Sequence, residues 1–342
     1  MNSQFQQNDP SIESQWRAII LFGQNTASYK FAFAKALLKY IEEEKTSVSL
    51  AEIAIPFADS MVEHYAHSKI QGTNTTNSYL QICGQFNSGE ISKDELYQLT
   101  ERHAFKYVVD VFHKVNGSDI PNKFYEKNYG AGKKEIVITD DLLKIKELFQ
   151  YRNFEQEVEA RWSLVETAWN LNINPNMLEV EYDESKSMFF IEHNLMRRVD
   201  ITSVRDALNG YQKGKCFYSY KDISINKKEE TTCAVDHFLP HLNKAEHVKT
   251  GVNINGVWNL VLADNKVNLD KKAKVPELRF LQRLHNRNEY YIESKHPLAE
   301  TIINQTGRTA KQRAAFLQQQ YNLALSLSIQ TWKPKIELLG TF

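Results

Sequence analysis

The chain has 342 residues, with 42 basic and 42 acidic side chains and a hydrophobic fraction of 42%. This length is enough for two or three domains with a real hydrophobic core. The three cysteines, Cys83, Cys216 and Cys233, are an odd and widely spaced set, which argues against disulfides and favours a reducing compartment. The sequence contains neither a secretory signal nor a run of about 18 apolar residues, so we expect a cytoplasmic protein rather than an exported or membrane-spanning one.

The first two hundred residues are predicted to be mainly helical, because apolar residues recur at helical spacing. Ser92 and Glu95 form a capping-box pattern at the start of one of these helices. Residues 117–134 are predicted to be a loop, followed by a short strand over 135–139. The predicted helices are 14–41 (broken near Gly23), 49–67 (interrupted at Pro56), 92–115, 140–149 and 155–171.

Strands enter the pattern in the second half of the chain. Residues 178–182 and 188–192 alternate around Asp183-Glu184-Ser185, which predicts a β-hairpin. Helices are predicted over 202–211, 276–285 and 308–327. The predicted fold class is therefore α+β and mainly helical.

Four polar residues between the predicted helices 202–211 and 276–285 are the candidates for catalysis and metal binding. Asp236 and His237 end an apolar strand, Asn259 begins a second apolar strand after a long loop, and Asn268 follows nine residues later. Asp264 is a good helix N-cap, so Asn268 is expected in the first turn or so of a helix that faces back toward the hairpin. Adjacent strand residues point to opposite faces, so the carboxylate and the imidazole would address one centre from different directions.

These residue types suit phosphodiester hydrolysis. A histidine with an ordinary pKa near about 6.5 can take a proton from water at neutral pH. A carboxylate and an amide oxygen together can hold a hard divalent cation, which stabilises charge on the leaving oxygen.

The arrangement resembles the HNH (ββα-metal) endonuclease family, with a C-terminal ββα-metal domain after a helical N-terminal region. It is similar to the HNH domain of the RNA-guided CRISPR effector nucleases, in which the last ligand is also asparagine. The resemblance covers about residues 215–274 and implies Asp236 and Asn268 as ligands of Mg²⁺ (or Mn²⁺), and His237 as the general base. It also implies that Asn259, grouped with His237 as a catalytic residue, braces the hairpin and orients the His237 loop.

The sequence departs from the family at its zinc knuckles. Many HNH domains hold a structural zinc with two Cys-x-x-Cys pairs, but here only Cys216 remains, and Ser219, Asp264 and Val267 stand where the other cysteines would be. Tetrahedral zinc needs four ligands, so we expect no structural zinc. The hairpin is expected to be held by aromatic packing instead, through Phe217, Tyr218, Tyr220, Phe238 and Trp258.

A formally neutral chain is unusual for a nucleic-acid enzyme, but the charge is unevenly distributed. Residues 265–313 contain eleven Lys or Arg against five Asp or Glu, directly after the motif. Such an excess is expected where phosphates must be neutralised, although any one of these residues is equally well explained as part of a solvated helix face. His241 and His247, in the loop after the motif's first strand, are interpreted mainly as ordinary loop polarity, with contact to DNA or to the metal's water shell as the alternative. The predicted nucleic-acid-binding residues are Lys266, Lys271, Lys272, Arg279, Arg283 and Arg287.

Three segments are predicted from these patterns: a mainly helical recognition or partner-docking region over 1–210, an HNH endonuclease domain over 211–300, and a C-terminal helix and tail over 301–342. Residues 1–210 contain no DNA-reading or ATP-binding motif. By analogy with prokaryotic restriction and anti-phage defence systems, the expected partners are DNA and an ATPase or sensor subunit.

Two functions from different classes remain open. The first is a metal-dependent DNA endonuclease in a restriction or anti-phage defence system. The second is a non-catalytic nucleic-acid-binding or scaffold subunit that retains an HNH shell. The intact base and oxygen ligands favour the first.

Overall fold

The computed structural model describes residues 11–23, 26–73, 78–115, 117–130, 132–171, 178–193, 197–226, 232–240, 249, 251–328 and 331–340. The protein is α+β and mainly helical, as the sequence predicts. It divides into two compact units at residues 173 and 174, which we call the N-terminal unit and the C-terminal unit. The division lies upstream of residue 210, so residues 174–210 and the tail after 300 cluster with the predicted nuclease segment.

The described part of the N-terminal unit consists of helices and three short antiparallel pairings. Its strands are β1 (Ser47–Ser49), β2 (Lys114–Val115), β3 (Ser118–Asp119), β4 (Tyr125–Gly130) and β5 (Lys133–Ile138). Its helices are α1 (Ile12–Phe22), α2 (Tyr29–Glu42), α3 (Leu50–His67), α4 (Ser78–Asn87), α5 (Lys93–His103), α6 (Phe105–Val111), α7 (Asp140–Ile145) and α8 (Tyr151–Asn170).

Local capping explains where helices begin, and the predicted capping box of Ser92 and Glu95 is present at the start of α5. The helix predicted to continue to residue 115 instead ends at His103 and is followed by α6. The hydroxyl of Thr100 donates a hydrogen bond to the carbonyl of Leu96, 2.7 Å away, and side-chain bonds of this kind bend helices.

Pro56 was predicted to interrupt a helix, but α3 continues through it. Proline lacks the N–H that would donate to the carbonyl four residues earlier, which is that of Glu52. The hydroxyl of Tyr40 donates to this carbonyl at 2.6 Å instead. A tertiary contact thus replaces the missing helical hydrogen bond.

The loop predicted over 117–134 is wrong, because most of it forms strands. Strand β5 lies between β1 and β4 in an antiparallel sheet, with Ile136 paired to both Val48 and Lys127. The exposed pattern of β4 hides it from sequence analysis, since only Tyr125 of its six residues is buried.

The C-terminal unit contains the sequence motif. The predicted hairpin around Asp183 is present and is extended by a third strand. The strands are β6 (Glu181–Asp183), β7 (Met188–His193), β8 (Arg197–Ser203), β9 (Cys233–His237), β10 (Leu260–Asp264), β11 (Val275–Pro276) and β12 (Thr331–Trp332). The helices are α9 (Val204–Gln212), α10 (Asn265–Lys271), α11 (Leu278–Glu293), α12 (Ala299–Thr306) and α13 (Ala310–Ser326).

Candidate functional site

The motif forms a ββα unit. Strands β9 and β10 pair antiparallel, with Asp236 opposite Val261 and His237 opposite Leu260. A single turn of 3₁₀ helix over Val257–Asn259 precedes β10, and α10 follows it directly. Asp264 caps α10 as predicted, because its carboxylate accepts hydrogen bonds from the backbone N–H groups of residues 266 and 267 at 3.0 and 3.1 Å.

Aromatic packing surrounds the hairpin, as the sequence predicts. The rings of Phe217, Tyr218 and Phe238 are fully buried, with centroids 5.2–6.4 Å apart. Trp258 is also fully buried and packs edge-on against Phe316. Such clusters stabilise the hairpin through buried aromatic packing.

Asp236 has a buried carboxylate with two partners. The hydroxyl of Tyr218 donates to it at 2.6 Å, and the ammonium of Lys271 lies 3.1 Å from Oδ1 and 3.0 Å from Oδ2. Burial and the adjacent carboxylate raise the pKa of Tyr218 well above its usual value, so this hydroxyl remains a hydrogen-bond donor at neutral pH. The carboxylate is thus fixed in orientation and electrically neutralised.

Lys271 was predicted to contact nucleic acid at the surface, and this prediction is wrong. Its side chain is completely buried, and its ammonium also donates to the carbonyl of His237 at 2.7 Å. Lys271 lies three residues after Asn268, so the two side chains share one face of α10. That spacing was the available sequence signal that Lys271 belongs to the site.

His237 lies on the other face of β9 and is 9% exposed. Its Nε2 lies 2.9 Å from Oδ1 of Asn255, a contact that suits the tautomer with the proton on Nε2, and its ring centroid is 6.1 Å from that of Tyr182. With the proton on Nε2, Nδ1 is the ring nitrogen that carries a lone pair. Asn255 was not identified from the sequence, because a polar residue in a loop has no periodic signal.

Asn259 braces the hairpin loop, as predicted. Its side-chain oxygen accepts from the backbone N–H of Leu239 at 2.8 Å, and its amide nitrogen donates to the carbonyls of Leu239 at 3.1 Å and Ile254 at 2.9 Å. The side chain is fully buried. Asn259 is therefore a positioning residue for the loop after His237, and the grouping of Asn259 with the catalytic residues is corrected accordingly.

Asn268 lies on α10 and is half-buried. Among the described residues we find no hydrogen bond to its side-chain amide, whereas its backbone carbonyl accepts from Lys272 at 2.9 Å. Its amide oxygen is the second donor that the metal-site hypothesis requires.

The donor set of Asp236 and Asn268 fits Mg²⁺ or Mn²⁺ in kind, because both ligands are hard oxygens. The buried ammonium of Lys271 already neutralises the carboxylate, so a metal ion must displace or share with it. In the described part of the chain, no group of three or more His, Cys, Asp and Glu side chains is arranged to hold a metal ion. A site here would depend on one carboxylate, one amide and water.

Two arginines predicted to bind phosphate are structural instead, so these predictions are corrected. Arg287 is 1% exposed, and its guanidinium donates to the carbonyls of Leu260, Val257 and Trp258 at 2.6–3.1 Å. Arg283 donates to the carbonyl of Phe217 and pairs with Glu337 at 2.8 Å. Both guanidinium groups face inward and bind backbone carbonyls or a carboxylate of the same unit, so they are not available to phosphates.

The other predicted phosphate contacts differ in environment. Arg279 is half-exposed but pairs with Glu277 and Glu337. Lys266 and Lys272 are exposed at α10. His241 and His247 lie outside the described residues.

No described helix is both long and apolar enough to cross a membrane. Comparison of the chain with protein-family models, with curated proteins and with solved structures found no match.

Proposed function

We propose that this protein is a metal-dependent HNH endonuclease that hydrolyses phosphodiester bonds in DNA. The observation that carries the proposal is the ββα unit. One end of the β9–β10 hairpin bears the adjacent Asp236 and His237, and the helix that follows bears Asn268. An Asp-His dipeptide alone would not support this function, whereas a hairpin and a capped helix that combine a base with two oxygen donors do.

Each residue of the candidate site has a distinct role in the proposed hydrolysis. His237 takes the proton of the attacking water through Nδ1, while Asn255 holds Nε2 and fixes the ring. Tyr218 orients Asp236, and Asn259 fixes the loop that follows His237. Asp236 and Asn268 would hold Mg²⁺ or Mn²⁺, which when bound stabilises negative charge on the leaving oxygen.

A plasmid-nicking assay with and without EDTA tests the proposal. We expect Mg²⁺- or Mn²⁺-dependent nicking that falls by about 10²–10⁴-fold in His237→Ala, since that variant loses the base. Asp236→Ala and Asn268→Ala should lose metal dependence and activity together. The matched controls are His103→Ala and Asn322→Ala, which change an exposed histidine of α5 and an exposed asparagine of α13. Near-parental nicking by His237→Ala in Mg²⁺ would show that the base is elsewhere.

The ion pair of Asp236 with Lys271 favours a second candidate function, a non-catalytic nucleic-acid-binding or scaffold subunit that retains the HNH shell. In that protein the buried ammonium permanently takes the place of a metal ion. Binding of DNA without cleavage in either Mg²⁺ or Mn²⁺ would support this candidate and refute the nuclease.

The biological setting is proposed by analogy alone. HNH nucleases cut with little sequence choice of their own, so attachments or partners direct them. We propose that the N-terminal unit docks an ATPase or sensor subunit of a restriction or anti-phage system. Co-purification of the full chain with the product of a neighbouring gene tests this setting. It would be contradicted if the chain alone cuts DNA with the same specificity as the chain with that partner.

A further inference from the structure

A groove of about 620 Å³ lies beside α10, and its lining is rich in lysine. Lys221, Lys266, Lys272, Lys274 and Lys335 contribute ammonium groups, against a single acidic residue, Asp270. We call these five residues the groove lysines. Four of them are exposed, and Lys221 is half-buried.

The groove lysines form no ion pair with any carboxylate of the described residues. Lysines elsewhere on the same unit do pair: Lys215 lies 2.6 Å from Asp222, and Lys186 lies 2.9 Å from Asp200. Five clustered cations without carboxylate partners repel one another, so the arrangement costs free energy until an anion binds.

Asp270, the acidic residue of the groove lining, connects two parts of the groove wall. The carboxylate of Asp270 accepts a hydrogen bond from the indole of Trp332 at 3.0 Å, which joins α10 to the segment that carries Lys335.

Lys272 adds a second, independent observation. It ends α10 with φ of 50° and ψ of −130°, a region that favours glycine. A non-glycine residue in such a conformation is strained, and residues of this kind cluster at functional sites. The strain is consistent with a requirement for the lysine side chain.

The groove also offers apolar surface. Leu269 is 69% exposed and Ile336 is 58% exposed, and both line it. A groove with cations and exposed apolar side chains suits a strand that carries both phosphates and bases.

We propose that this groove binds the phosphate backbone of the DNA strand that the ββα unit cleaves. The proposal rests on the proposed function for the identity of the anion. Helix α10 bears the groove lysine Lys266 and the site residues Asn268 and Lys271, and the groove lysine Lys272 is its C-cap. A helix with side chains is about 10–12 Å wide, so a strand in the groove lies within a few nucleotides of His237.

The test is a binding titration in EDTA, which separates binding from cleavage. Fluorescently labelled single-stranded and duplex DNA are titrated with the full chain by anisotropy over a series of salt concentrations. The groove variant changes Lys266, Lys272, Lys274 and Lys335 to Gln. The control variant changes Lys39, Lys69, Lys106 and Lys311 to Gln, four exposed lysines outside the groove with the same loss of charge. Circular dichroism checks that both variants are folded.

We expect the groove variant to bind DNA about 10²–10³-fold more weakly at 0.15 M salt. Each phosphate contact contributes about 0.9 to the slope of log K against log salt, so four lost contacts reduce the slope by about 3–4. The control should bind within about threefold of the parent. Single-stranded or duplex DNA can be the better ligand without changing this expectation.

Equal weakening in both variants, no affinity of the parent for DNA, or binding of RNA alone would overturn the proposal. The separate outcomes also distinguish it from the proposed function. DNA binding through the groove without cleavage in Mg²⁺ or Mn²⁺ would refute the nuclease and leave the groove standing. If the folded groove variant binds and cleaves DNA as well as the parent does, the groove proposal is refuted and the nuclease proposal stands.

Discussion

Replacing Lys271 with methionine tests the electrostatics of the site directly. The ammonium of Lys271 lies 3.0 Å from the Asp236 carboxylate and 2.7 Å from the carbonyl of His237, and its side chain is completely buried. Methionine has a similar length and keeps the apolar packing of the stem, but it removes the charge and the donors. The substitution therefore leaves a buried carboxylate without its counter-charge.

The magnitude follows from the burial of both partners, which are 0% and 8% exposed. Breaking a buried ion pair by removing one partner costs about 3–5 kcal/mol, because the remaining charge is uncompensated. We expect Lys271→Met to lower the free energy of unfolding by that amount in EDTA. Urea unfolding followed by circular dichroism measures it.

A divalent cation should recover part of this loss. The uncompensated charge of Asp236 is then available to a hard cation, and a ligand at about 100 times its Kd adds about 2.7 kcal/mol to stability. The parent should gain less from the same Mg²⁺ or Mn²⁺ concentration, since its ammonium competes for the carboxylate.

The matched control is the double variant Asp236→Asn with Lys271→Met, which removes both charges. It should be more stable in EDTA than Lys271→Met and should not respond to metal. Two results would refute this prediction: a Lys271→Met variant as stable as the parent in EDTA, or equal stabilisation of the single and double variants by metal.

Four further predictions concern other parts of the molecule. Asn255→Asp should move the acid limb of the pH–rate profile of cleavage to higher pH, because a carboxylate beside His237 favours the imidazolium; an unmoved profile in both Asn255→Asp and Asn255→Ala would argue against a base at His237. Asn259→Ala should lower the free energy of unfolding by about 1–3 kcal/mol in urea titrations, since backbone groups of the hairpin loop lose buried partners, and no loss would mean that the loop is held by packing alone. Lys272→Gly should weaken DNA binding about fivefold at 0.15 M salt while leaving stability unchanged or raised, because glycine tolerates its positive φ; a loss of stability would contradict the strain argument. Burial would lower the pKa of His64, but hydrogen bonds and attraction to Glu159 and Glu166 raise it to about 9. The raised pKa stabilises the fold by up to about 3 kcal/mol, fully below about pH 6.5 and progressively less as the pH rises through about 9. Thermal unfolding measured across this pH range should show the loss in the parent and not in His64→Gln.

The pattern of residues near one another in the chain determined much of the C-terminal unit. The alternation around Asp183 predicted the hairpin, and Asp264 predicted the start of α10. These features depend on period, capping and turn chemistry, which act within a few residues. The same local rules predicted that Asp236 and His237 end a strand and that a helix follows β10.

Only the tertiary structure decided which charges face inward. Lys271, Arg283 and Arg287 look like surface cations in the sequence, yet they hold Asp236, Glu337 and backbone carbonyls inside the unit. A helix through Pro56 likewise required the hydroxyl of Tyr40, which comes from another element. The physical reason is common to these cases. A buried charge or an unpaired carbonyl is tolerated only where a partner lies nearby in space, and chain order alone does not give that distance.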